Sequence, residues 1–89
     1  MEPTVPVVIP RFESRQYDGT NGAELIAWLS GTVDLVSDDG AELVVRFSGE
    51  LRRIPVGWWI VAGGGSKAAF HTEQTPDDYL NYWLELPAL

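Results

Sequence analysis

The stretch "TVDLVSDDGAELVVRF", residues 32–47, decides how the chain folds. Two runs with alternating apolar residues flank Asp38-Asp39-Gly40, the signature of a β-hairpin. Two registers compete. A two-residue Asp39-Gly40 turn would pair Val33 with Arg46 and Leu35 with Val44. A three-residue Asp38-Asp39-Gly40 loop pairs Leu35 with Leu43 and Val33 with Val45, gathering four apolar side chains on one face. Burial of one face is what fixes a register, so the second is expected, with Gly40 in the left-handed position of the loop.

Working outward, "NGAELIAWLSG" (21–31) reads as a helix over about 21–30. Asn21 is the expected N-cap, Glu24 completes a capping box, Leu25, Ile26 and Leu29 form the apolar stripe with Trp28 beside it, and Gly31 supplies the stop. Before it, Phe12–Tyr17 reads as a strand that ends in the "DGT" turn at 18–20. Pro3, Pro6 and Pro10 make residues 1–10 an extended lead, and this start lacks the basic region of a signal peptide.

After the hairpin, Ser48-Gly49 turns the chain into "ELRRI", a strand that stops at Pro55. Residues 56–62, "VGWWIVA", are apolar on both faces and read as a central strand. Gly63–Gly65 form a turn, Lys67–Thr72 a further strand, and "TPDDYLNYW" opens a second helix over about 76–85. Thr75 is its N-cap, Pro76 suits the first helical position, and Asp77 and Asp78 complement the positive helix end. The expectation is one α+β domain spanning 1–89, with a mainly antiparallel sheet of five to six strands and both helices on one side.

The chemistry-bearing motifs reduce to structure. The order "GGGSK" (63–67) places Ser before Lys and lacks the GxxxxG frame, so it does not make a phosphate loop. His71 is the sole histidine, cysteine is absent, and no serine sits in a G-x-S-x-G elbow. Zinc would then need three carboxylates beside one histidine, a poor ligand set, and the calcium-loop spacing is missing as well. Asp38-Asp39 serves a turn and Asp77-Asp78 a helix start. Catalytic, metal and cofactor sites are therefore expected to be absent, and the chain is expected not to be an enzyme.

Thirteen acids against six bases give a net charge of −7, which opposes binding to nucleic acid phosphates. A DNA mimic would be richer in charge than 21%, a value below the roughly 25% of an average domain. No apolar run is long enough to cross a membrane. Seven Trp and Tyr residues, the types that dominate interface hot spots, point instead to protein binding. Adjacent Trp58 and Trp59 must face opposite sides of their strand, which leaves either two covered faces or one face for a partner. Candidate interface residues are Trp58, Arg52, Arg53, Tyr79 and Tyr82, although Arg52 and Arg53 also read as solvated edge charges.

The segments "YDGTNGAELIAWL" (17–29) and "IPVGWWIVAGGG" (54–65) resemble a recurrent pattern in small proteins of tailed bacteriophages, especially those of actinobacteria. In that pattern a strand leads through a "YDGTN" turn to a helix ending near "WL", and a later "PGDW-I-V-G" strand precedes a C-terminal aromatic helix. The order is followed over most of the chain, except that Trp58 stands where the pattern usually has Asp. The resemblance implies a phage accessory protein and carries no catalytic assignment. It also implies that Trp59 is the core ring and Trp58 the more exposed one.

The expected function is thus non-enzymatic binding of a bacterial host protein in the host cytoplasm, modulating or inhibiting it, with no nucleic acid or membrane partner. Self-association into a homodimer is compatible with that expectation. A small-molecule binder that sequesters a nucleotide signal, with Trp58 for stacking and Arg52 or Arg53 for phosphate, is the alternative from another class. A minor virion component is the third.

Overall fold

The computed structural model describes residues 5, 6, 8, 11–29, 33–63 and 71–87. In chain order the elements are β1 (Phe12–Gln16), α1 (Gly22–Trp28), β2 (Asp34–Asp38), β3 (Glu42–Phe47), β4 (Glu50–Pro55), β5 (Trp59–Gly63), β6 (His71–Gln74) and α2 (Pro76–Tyr82). The fold is α+β. The strands divide into two three-stranded antiparallel sheets, β1-β5-β6 and β2-β3-β4, rather than one sheet.

One buried cluster joins the two sheets. Leu43 and Val45 of β3 and Ile54 of β4 meet Ile60 and Ala62 of β5, and Tyr17, Leu25, Leu29 and Val33 complete the group. Helix α1 supplies Leu25 to that cluster, its C-cap Leu29 follows, and the helix packs against β2, whereas α2 contacts β6. The helices therefore attach to different sheets, not to one common side.

The hairpin adopts neither expected register. Asp34 pairs with Arg46 and Leu35 with Val45, a bulge falls at Val36, and Ser37 then pairs with Val44 and Asp38 with Leu43. Apolar burial did not set this register, because every residue of β2 is exposed, Leu35 and Val36 included. Polar contacts in the loop set it instead. The Asp39 carboxylate accepts hydrogen bonds from the Ala41 and Glu42 amides (2.9 and 2.8 Å), and the Tyr17 hydroxyl donates to Asp38. Gly40 does hold the left-handed conformation expected of it, with φ of 84°.

Local signals at the helices fared unequally. Thr75 caps α2 by accepting from the Asp78 amide (3.1 Å), and Pro76 takes the first helical position. The expected capping box at Asn21 is not formed. The Asn21 side chain accepts from the Asp18 amide and donates to the Gln16 carbonyl, so it ties the turn to β1. Helix α2 ends at Tyr82, short of 85, because Trp83 turns to extended backbone and sets its ring edge-on against Phe12 at 5.4 Å. The expected stop at Gly31, most of the 1–10 lead and residues Lys67–Phe70 lie outside the described residues.

Candidate functional site

Alternation along β1 divides its side chains between two flanks. Pairing across to β5 puts Ser14 opposite Val61 and Gln16 opposite Trp59, on the face that α2 covers. There the Trp59 and Tyr79 rings stack at 4.0 Å with their planes 3° apart, and the Tyr79 hydroxyl meets Ser14 Oγ at 2.7 Å. Glu13 and Arg15 fall on the other flank, where the Arg15 guanidinium lies 5.4 Å from the centre of the Trp28 ring. A cleft of roughly 790 Å³ runs along β1 and takes in both flanks. Its walls include Trp28, Trp59, Tyr79, Trp83 and the chain that leaves α2 through Leu84 and Leu86. That volume is in the range of small-molecule and peptide-anchor pockets, about 300–1,000 Å³.

Of the five residues expected at an interface, Arg52 and Arg53 lie on β4, Trp58 precedes β5, and Tyr79 and Tyr82 lie on α2. Tyr79 is 2% exposed, since it anchors α2 to the sheet, while Tyr82 is 76% exposed. Arg53 lies on the surface and pairs with Glu42 at 2.8 Å. Arg52 bridges the two sheets, pairing with Glu73 of β6 at 3.0 Å and Glu50 at 3.4 Å, with its guanidinium 5.5 Å from the Phe47 ring. Its Nε is buried without a hydrogen-bond partner among the described residues. Trp58 is half-buried and packs against the main core. The expectation that Trp59 is the ring of the main core is therefore corrected, while both rings are half-buried. The main cluster lies on the Trp58 side, and Trp59 is covered on the opposite face by α2. Of the alternative nucleotide-binding residues, Trp58 packs on the main cluster, and Arg52 and Arg53 are each paired with carboxylates.

Sequence reading missed the cleft. Its residues come from β1, α1 and the segment after α2, and only the fold brings them together. The alternation of Glu13 and Arg15 on one strand, with Arg11 just before it, was the available signal.

The groups with shifted titration, Tyr17, Asp18 and Asp39, are not among the cleft's lining residues. Amide and hydroxyl donation from Thr20 holds the Asp18 carboxyl below the usual carboxylate range, and the Ala41 and Glu42 amides do the same for Asp39. Burial, then the hydrogen bond to Asp38 and the charge there, pushes the Tyr17 phenol up to about 12. Among the described residues no cluster of three His, Cys, Asp or Glu side chains could hold a metal ion, and no helix is long and apolar enough to cross a membrane. Comparison with protein-family models, curated proteins and solved structures finds no match.

Proposed function

We propose that the chain is a small phage accessory protein that binds a bacterial host protein in the host cytoplasm and modulates or inhibits it, without catalysis. The carrying observation is the run of apolar side chains at and after the end of α2. Leu80 is 74% exposed, Tyr82 76%, Leu84 84% and Leu86 57%. Single exposed apolar residues are ordinary, but four within seven positions are a local concentration of exposed apolar side chains, and such concentrations mark interaction sites. The polar surroundings fit a partner interface as well, because Asp77, Asp78, Asn81 and Glu85 are exposed around it. Tyr82 is the natural anchor, since tyrosine joins a large apolar ring to a polar tip and is enriched at hot spots. The bacterial setting rests on the resemblance carried by residues 17–29 and 54–65.

Affinity capture from bacterial lysate, followed by mass spectrometry, tests this reading. The full chain should retain one protein that a Leu84→Asp variant with an unchanged melting temperature does not retain. Equal retention by both chains, or by neither, would contradict it.

A further inference from the structure

The chain has five arginines in an excess of acid, so each can be expected to find a carboxylate. Arg52 and Arg53 do so. Arg11, Arg15 and Arg46 do not: none makes an ion pair or a side-chain hydrogen bond among the described residues, and of the three Arg11 and Arg15 line the cleft along β1. Arg15 is also positioned. The Trp28 ring beneath its guanidinium restrains the side chain by a cation–π contact and leaves the N–H donors uncommitted. A restrained guanidinium with free donors suits a planar or tetrahedral oxyanion, which it can grip through two parallel hydrogen bonds.

Across the strand the same cleft offers apolar and aromatic wall. Trp59, Trp83 and Leu84 line it, and the Ser14–Tyr79 hydroxyl pair adds a polar point. One proton of that pair is used between the two oxygens, so the other hydroxyl can donate to a ligand. Two carboxylates, Glu13 and Glu85, also line the cleft, and they disfavour a ligand with charge spread over its whole body. A compact anionic head on an uncharged flat body satisfies both halves.

We propose that this cleft binds a small organic anion in which a carboxylate or phosphate is carried on an aromatic body. The head sits at Arg15, and the body passes round the β1 edge toward Trp59 and Trp83. The proposal does not rest on the protein-binding reading, although the cleft shares Leu84 and Leu86 with the exposed apolar run.

The test uses the full chain and three naphthalene probes: 2-naphthoate, 2-naphthyl phosphate and the neutral 2-naphthylmethanol. Indole and arginine N–H resonances are followed by NMR as each probe is titrated. At least one anionic probe should give saturable shifts at the Trp28 indole and Arg15, binding at least about tenfold more tightly than the neutral alcohol. Which anion binds tells carboxylate from phosphate. Arg15→Gln should weaken that probe by about tenfold or more, while Arg46→Gln on β3 leaves it unchanged, each variant being compared at an unaltered melting temperature. Absence of saturable shifts with both anions, equal binding of the alcohol, or an Arg15→Gln chain that binds as tightly as the parent would overturn the proposal.

Discussion

Removing the Tyr79 ring should detach α2 from the domain. Tyr79 is the buried residue of that helix, it stacks on Trp59 at 4.0 Å, and its hydroxyl meets Ser14 Oγ at 2.7 Å. The contributions can be separated. Truncating a buried aromatic ring to alanine costs about 3–5 kcal/mol, within which a stacked pair accounts for about 0.5–1.5 kcal/mol. The single hydroxyl hydrogen bond contributes about 0.5–1.5 kcal/mol. Tyr79→Phe and Ser14→Ala should therefore each cost about 1 kcal/mol, and the double variant little more than either, because both remove the same bond. Tyr79→Ala should cost about 3–5 kcal/mol, a large share of the roughly 5–15 kcal/mol that holds a small domain together. A seven-residue helix has no stability of its own, so its amides should exchange early in the Tyr79→Ala chain. Urea melts followed by circular dichroism and tryptophan fluorescence give the energies, and hydrogen exchange gives the location. A Tyr79→Ala cost under about 1 kcal/mol, or a Tyr79→Phe cost equal to it, would refute the packing argument.

Three further outcomes follow from particular contacts. Trp58→Asp should destabilise the fold by about 2 kcal/mol or more, since it removes a ring packed on the core and places a charge there, as a thermal or urea melt would measure. Gly40→Val should cost about 1–2 kcal/mol through its φ of 84°, more than Asp39→Ala, and equal melts for the two variants would contradict that ranking. One tyrosine should titrate near 12 in the folded chain when phenolate absorbance is followed. Because burial and Asp38 raise the Tyr17 value above its ordinary 10, its contribution to stability is complete below pH 10. That contribution is lost as pH rises from 10 through 12, so alkaline unfolding in that window should shift in Tyr17→Phe.

What could be read from the sequence was what is decided locally. Thr75, Pro76 and the two aspartates after it place the start of α2, because caps act within one turn. Gly40 announced its own conformation for the same reason. The hairpin register was illegible because β2 is an exposed edge, where apolar alternation loses its authority, and its partners Tyr17 and Asp38 are 21 positions apart. The division into two sheets depends on which strands pair, and β1 pairs with β5 across more than forty intervening residues. Asn21 looked like a helix cap yet serves the turn before it, since its amide can satisfy either set of groups. The resemblance misled on Trp58 and Trp59, because alternation separates two faces without saying which of them the larger cluster occupies. The cleft was hidden for a similar reason: Arg15 and Trp28 meet only after β1 and α1 are set side by side.

The central claim is that the exposed apolar run from Leu80 to Leu86 is where a protein partner binds. Hydrogen exchange of the full chain, with and without the protein it captures, measures this directly. Binding should slow exchange at residues 80–87 and leave the β2 edge unchanged. Protection confined to β2 or to other surfaces, with 80–87 exchanging as in the free chain, would contradict the account.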